Sequence, residues 1–230
     1  MAKRIKALNC MACDKMSGCF KMLDIHQLSD ADEQRLEVNY KAGETICKQG
    51  SFASHILFLR KGLARVFMEG RDKNMILSVI PESNYIGLTS LFGDSIFHYS
   101  AIAYEDCEVC LVDIKLFKDF ILSNTKFAAA VIQEINAGTI RSFDRLLSVS
   151  QKNIPGRFAD LILYLSEDIF KSTEFTIPFT RKELAELSSM SIESLSRILK
   201  DLNSDGMVEI KGKNIRIINV DKLKRVSLNG

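Results

Sequence analysis

The chain has 230 residues, 47% of them apolar and 26% charged, with a formal net charge of +2. That length can bury two modest cores, and the balance excludes both a disordered chain and a polycation that grips nucleic acid by bulk charge. The apolar runs are too short and too often broken by charge to span a bilayer, and the N-terminal residues lack a signal-peptide apolar region, so a cytoplasmic location is expected.

Residues 1–22 form a cysteine-bearing segment. Of the six cysteines, Cys10, Cys13 and Cys19 lie here in a C-x2-C-x5-C spacing, and Cys47, Cys107 and Cys110 lie further on. A reducing compartment argues against a disulfide framework. In a short Met- and Gly-containing stretch three thiolates can converge without distorting a regular element, so metal or cluster chemistry explains the spacing better than packing does. Two other readings stay open. Cys10-x2-Cys13 with Cys107-x2-Cys110 would make a four-cysteine zinc site, although such sites are usually more local. Alternatively, the thiols act as a direct redox switch or are inert.

Residues 23–112 read as β structure. Gly43, Gly50, Gly62 and Gly70 bracket the short runs Thr45-Ile46-Cys47, Ile56-Leu57-Phe58-Leu59 and Leu63-Ala64-Arg65-Val66-Phe67. Short strands at regular spacing imply a barrel or roll.

From about residue 113 to 153 the period changes. Ile132, Ile135, Thr139, Ser142, Leu146 and Val149 recur at alternating three and four, the seam of a coiled coil, while Ile140, Phe143 and Leu147 form a second apolar face. The expectation is that one face is satisfied within the subunit and the other takes a partner; a single helix packed on both sides is the plainer alternative. Ile154-Pro155-Gly156 reads as a hinge, and Arg157-Phe158-Ala159-Asp160-Leu161 opens the last domain, 154–230.

That domain carries a helix-turn-helix and a hairpin. Thr180-Arg181-Lys182-Glu183 is a capping box that starts the first helix, and Ser191 caps the second. Leu195, Ile198, Leu199 and Leu202 face inward; Glu193, Ser196, Arg197 and Lys200 share the opposite face. Asn203-Ser204-Asp205-Gly206 breaks the helix, after which Val208/Ile210 alternate against Ile215/Ile217 around Lys211-Gly212-Lys213-Asn214. The whole is a winged helix. Arg suits guanine O6/N7, Glu accepts from cytosine N4–H, and Ser serves either partner. The candidate DNA-contacting set is therefore Glu193, Ser196, Arg197 and Lys200, with Thr180 and Arg181 at the start of the first helix. Residues 180–230 hold ten Lys/Arg against seven Asp/Glu, a mild excess that favours steering toward an anionic partner.

At Ile192-Glu193-Ser194-Leu195-Ser196-Arg197 the chain resembles the CRP/FNR family of bacterial transcription regulators. The Glu-x-x-Ser-Arg pattern is similar to that of the FNR branch; the cyclic-AMP branch usually has Arg in place of the Glu and Gly where Ser196 stands. Gly206-Met207 and Lys211-Gly212-Lys213 resemble the family's wing, and Lys41-Ala42-Gly43-Glu44 and Arg60-Lys61-Gly62 the turns of its effector-binding roll. Ser189 departs from the pattern, since such turns often use Gly, and a strained turn is expected there.

The resemblance implies an α+β fold: an N-terminal cNMP-binding-like β-roll, a long dimerisation helix and a C-terminal winged helix-turn-helix. It implies a homodimer through the seam helix, a two-fold double-stranded DNA site with TTGAT-like half-sites, and RNA polymerase as a further partner. FNR-type oxygen sensors share the N-terminal cysteine spacing and take their fourth ligand from the last part of the roll, which Glu108-Val109-Cys110-Leu111-Val112 resembles. That implies a [4Fe–4S] cluster on Cys10, Cys13, Cys19 and Cys110, responding to oxygen, nitric oxide or redox state. A regulator without a cluster, answering another small ligand or thiol or zinc chemistry, is the alternative.

The roll's other family effector, cyclic AMP, is held by a Glu on the ribose and an Arg on the phosphate. The corresponding stretches, Gly87-Leu88-Thr89-Ser90-Leu91-Phe92 and His98-Tyr99-Ser100-Ala101, have neither. An unpaired phosphate in the roll would cost on the order of several kcal/mol, so no cyclic AMP is expected; an apolar or haem-like ligand stays open. His26, His55 and His98 read as ordinary surface or half-buried residues. No nucleophile–His pattern, phosphate loop or His-x-x-x-His pair supports an enzyme.

Overall fold

The structure is a computed structural model that describes residues 3–4, 9–71 and 74–230. Two compact units, Met1–Ile140 and Arg141–Gly230, divide the chain. The architecture is the α+β arrangement expected: a β-roll, a long helix and a winged helix-turn-helix.

In the first unit, β1 (Lys3–Arg4), β2 (Leu36–Tyr40), β9 (Cys107–Asp113), β4 (His55–Lys61) and β7 (Asn84–Ile86) form one antiparallel sheet in that order. The second runs β3 (Thr45–Cys47), β8 (Ser100–Ala103), β5 (Leu63–Met68) and β6 (Met75–Pro81). β4 lies between β9 and β7 and is covered on both faces, which is why Ile56-Leu57-Phe58-Leu59 is a continuous apolar run rather than an alternating one. Leu57 and Leu59 point into the roll with Val66, Ile86 and Val109. Ile56 points to the opposite face, where it meets Val112, Phe117 and Phe127. Gly62 makes the turn from β4 to β5 at φ +99°; a Cβ there would meet Cys107 Sγ at 2.7 Å and the Asp106 carbonyl at 2.8 Å.

Three helices cover that outer face. α1 (Ile25–Gln34) begins with a capping box made by Asp24 and Gln27. The single helix expected over 113–153 is two, α2 (Ile114–Ser123) and α3 (Thr125–Gln151). Asn124 divides them: its backbone is extended, its side-chain oxygen accepts the Phe127 N–H at 3.0 Å, and its amide donates to the Met22 carbonyl at 2.9 Å.

The two apolar faces of α3 also differ from expectation. Phe127 and Val131 are buried and Ile135 packs beside them, but Ile140, Phe143, Leu146 and Leu147 are 59, 65, 68 and 50% exposed. Among the described residues, these apolar side chains of α3 beyond Ile135 are therefore left uncovered on both faces. Nor is the helix packed on both sides. Of the seam, Ile132, Thr139, Ser142 and Leu146 are exposed, and Ile135 and Val149 are half-buried.

In the second unit the expected hinge at Ile154-Pro155-Gly156 is the first turn of α4 (Ile154–Tyr164), capped by Asn153, whose side chain accepts the Gly156 N–H. Proline has no N–H to waste in a first turn, so it opens a helix there instead of breaking one. α4 runs on into a π-helical turn, Leu165–Ile169. Then follow β10 (Glu174–Thr176), α5 (Arg181–Leu187), α6 (Ile192–Ser204), β11 (Val208–Lys211), β12 (Asn214–Ile217) and α7 (Val220–Asn229). The three strands pair antiparallel in the order β10-β12-β11.

Candidate thiol centre and nucleic-acid interface

Strand alternation sorts the cysteines. On β9, Cys107 points into the roll, where its Sγ donates to the Leu63 and Glu105 carbonyls at 3.4 and 3.2 Å, whereas Cys110, three residues on, points to the outer face. Cys47 is also in the roll core. The outer face meets the N-terminal segment: a cavity of about 40 Å³ there is lined by Cys10, Cys13 and Cys110 together with Phe20, Tyr85 and Arg35. The four-cysteine zinc arrangement is not formed, because Cys107 and Cys110 stand on opposite faces of one strand.

Local bonds hold the segment in place. Asn9 caps a short turn over Cys10–Ala12 by accepting the Met11 N–H, and the Cys10 N–H donates to Asp32 Oδ1 of α1 at 2.8 Å. The Ser17 hydroxyl is hydrogen-bonded to that of Tyr85 and accepts the Phe20 N–H. Cys19 does not line the cavity. It is buried in the adjoining core with Phe20, Phe117 and Phe127. Tyr85 is nevertheless within electrostatic reach of both Cys19 and Cys110.

Burial dominates the electrostatics. It pushes the Cys10 thiol up to about 12, opposed by the Arg35 guanidinium, and the Cys19 thiol up to about 11, with Glu134 adding to the rise. Burial likewise raises Cys110 to about 11, against the pull of Arg35. Such thiols stay protonated near neutral pH until a metal displaces the proton. Among the described residues no three Cys, His, Asp or Glu side chains converge at single-ion distance. A cubane cluster takes four cysteine ligands around its body rather than at one point. Buried Cys10 and Cys110 and half-buried Cys13 surround a largely apolar cavity edged by Arg35, Arg60 and Glu37, with Cys19 in the core beside it, so three of the four thiols and two cations are placed to suit that anionic group.

In the winged helix, Thr180 Oγ1 accepts the Glu183 N–H at 3.2 Å while Glu183 accepts the Thr180 N–H at 2.8 Å, the capping box expected. Ser191 caps α6. Leu195, Ile198, Leu199 and Leu202 are buried, and Glu193, Ser196, Arg197 and Lys200 are exposed on one side, as are Thr180 and Arg181 at the start of α5. A groove of about 360 Å³ is lined by Arg181, Ser196, Lys200, Asn203 and the wing residue Ile210. The Ser191 hydroxyl, then the backbone N–H of Glu193 and lastly Arg197, hold the Glu193 carboxyl below its usual range. Val208 pairs with Ile217 and Ile210 with Ile215, the expected hairpin register. Ser189 sits at φ +52°, the left-handed region glycine prefers, so the turn is strained as expected.

The chain matches the model of the Crp-like helix-turn-helix domain over residues 156–226 and that of the cyclic nucleotide-binding domain over residues 37–124. The chain belongs to the CRP/FNR family. Among relatives, the transcriptional activator protein FnrA of Stutzerimonas stutzeri is 22% identical over 220 residues, covering 91% of this chain and 88% of FnrA. The cAMP-activated global transcriptional regulator CRP of Salmonella typhimurium is 25% identical over 181 residues, covering 76% of this chain and 86% of CRP. FixK2 of Bradyrhizobium japonicum has a similar fold, with a TM-score of 0.76 at 18% identity over 84% of this chain and 96% of that one. A CRP/FNR-type chain is a DNA-binding transcription regulator. Among the described residues no helix is long and apolar enough to cross a membrane.

Three residues that matter to these sites had no signal in the sequence. Arg145 of α3 and Arg157 of α4 donate to the Leu187 and Ser189 carbonyls, each at 3.1 Å, and so fix the strained turn before the recognition helix of this CRP/FNR-type domain. Arg35 follows α1 and reaches Cys110. Each acts through a partner far away in sequence, which no local pattern announces.

Proposed function

We propose that this CRP/FNR-type regulator works as a homodimer that reports oxygen, nitric oxide or redox state through a [4Fe–4S] cluster on Cys10, Cys13, Cys19 and Cys110. The observation that carries the sensor is that Cys10 and Cys13 from the N-terminal segment and Cys110 from β9 line one cavity. A bound cluster supplies an oxidant-labile redox centre whose thiolate bonds tie that segment to the strand.

The protein's own residues then relay the state of the segment. Phe20, next to Cys19, packs on Phe117 and Phe127, so the segment supports the base of α3. Further along α3, Ile140, Phe143, Leu146 and Leu147 present the exposed apolar stripe on which a second copy would dock. Pairing of two copies sets two recognition helices about one DNA turn, roughly 34 Å, apart. Glu193, Ser196 and Arg197 would then read TTGAT-like half-sites, with RNA polymerase as the downstream partner and the cytoplasm as the setting.

The position of Cys19 in the core beside the cavity favours a second reading, a regulator of the same type without a cluster, switched by thiol chemistry or another small ligand. Anaerobic purification with an absorption spectrum and iron and sulfide analysis tests the two. Iron and sulfide in near-equal amounts support the cluster; a metal-free protein whose DNA affinity is the same in air supports the second reading.

A further inference from the structure

We propose that Arg35 is the positioning residue of the thiol centre, pinning its two halves together and supplying the positive charge that a thiolate-bound cluster would face. The inference rests on the cluster reading. The Arg35 side chain is only 4% exposed, and its three nitrogens are divided between the two halves. Nε and Nη2 donate to Asp32 Oδ1 at 3.1 and 3.0 Å, and that same oxygen accepts the Cys10 N–H at 2.8 Å. Nη1 donates to Glu37 and lies 3.8 Å from Cys110 Sγ. Glu37 pairs across strands with Cys110, so the guanidinium bridges α1, β2 and β9 where the N-terminal segment meets them.

The planar fork is what permits this. An ammonium places its charge at one point and cannot span two carboxylates and a sulfur with fixed geometry. Without Arg35, Asp32 and Glu37 would face an anionic cluster with only the half-buried Arg60, itself paired with Glu108, left at the cavity edge. A reduced cluster carries one more negative charge than an oxidised one, so removing the guanidinium makes reduction harder. Loss of the fork also frees Asp32 from the side chain that orients it toward Cys10.

The test compares wild type, Arg35→Lys and Arg35→Gln, each reconstituted anaerobically with iron and sulfide and also kept metal-free. Expected are a shift of the cluster's midpoint potential to more negative values in Arg35→Gln, a smaller shift in Arg35→Lys, and faster bleaching in air in the same order. In the metal-free proteins, peptides covering residues 9–22 should lose amide hydrogen-exchange protection in Arg35→Gln and keep part of it in Arg35→Lys. If Arg35→Gln takes up no cluster, the exchange arm and the Arg35→Lys potential decide. A loaded wild type whose potential and segment protection are matched by Arg35→Gln overturns the role of Arg35 and leaves the cluster standing. A wild type that takes up neither iron nor sulfide overturns the cluster itself, and with it the role assigned to Arg35.

Discussion

Phe20 stands edge-on to Phe127, with ring centroids 5.9 Å apart. One ring directly follows Cys19; the other is in the first turn of α3. Phe117 joins both, at 6.3 Å from Phe20 and 5.1 Å from Phe127, so the cysteine segment and the long helix share one aromatic cluster. Any change that lifts the segment off the roll must open this cluster and expose apolar surface.

Phe20→Ala should therefore cost about 3–5 kcal/mol in stability of the first unit, the usual penalty for emptying a buried aromatic site. Phe20→Leu, which fills part of the space, should cost less. Urea unfolding followed by circular dichroism measures both. A Phe20→Ala protein as stable as wild type would mean that the segment does not load on α3.

These particulars show what the sequence carried and what it did not. The strands Thr45–Cys47 and Leu63–Met68, the wing register and both recognition-domain caps were legible because alternation and capping are local patterns. α1 was not, because Ile25, Leu28 and Ala31 are too few apolar positions to show a period. Ile154-Pro155-Gly156 reads as a hinge in the sequence because neither Pro nor Gly favours a helix interior. Here both lie in the first turn of α4, where Gly156 is needed for another reason: a Cβ would meet Gly230 Cα at 2.8 Å. Of the thiol centre, the spacing gave the N-terminal half, and the opposite-face placement of Cys107 and Cys110 followed only once β9 was known to be extended over both residues.

In the recognition helix, Arg197→Ala should weaken binding to a specific site by about 1–3 kcal/mol and relax preference at one base pair, the loss of a bidentate base contact. Lys200→Ala and Arg181→Ala border the groove and should weaken all sequences alike, each lowering the salt-dependence slope by about 1. Selection from random DNA followed by titrations at several salt concentrations separates the two effects. Recovery of no two-fold sequence would sink the base-reading assignment.

The exposed stripe on α3 predicts the assembly. Leu146→Asp places a carboxylate on a surface that is 68% exposed in one copy and would be covered by another, so it should leave folding nearly unchanged while yielding monomers. Phe143→Asp should do the same. Sedimentation at micromolar concentration measures this; an unchanged dimer in both variants would move the interface elsewhere.

Cys47 and Cys107 predict a pH dependence that owes nothing to metal. Burial raises their thiols from 9.0 to about 12 and about 11. A raised folded value means that the proton is held more tightly in the folded state than in the unfolded one. The stabilisation is complete below pH 9 and is lost as pH rises toward 11–12. Between pH 9 and 11 the roll should therefore lose stability more steeply in wild type than in a Cys47→Ala/Cys107→Ala double variant, as followed by urea unfolding of the metal-free protein. Parallel curves would show that these thiols are not desolvated.

The last prediction separates the roles of the cysteines. Cys110 lines the cavity with Cys10 and Cys13, whereas Cys107 lies across the strand in the roll core. Under the cluster reading, anaerobic wild type is brown, and it loses colour and DNA affinity together in air. Cys10→Ser, Cys13→Ser, Cys19→Ser and Cys110→Ser each remove one of four thiolates and should be pale and weak in DNA binding from the outset. Cys107→Ser should keep both colour and affinity, since its hydroxyl can donate to the same Leu63 and Glu105 carbonyls that the thiol meets. Cys19 is the discriminating position because its side chain lies in the core beside the cavity. A coloured, fully loaded Cys19→Ser would show that the cluster has another fourth ligand. If Cys107→Ser also abolished metal and wild type carried zinc, the strand would have to turn Cys107 outward, and the alternation seen here would not describe the metal-bound protein.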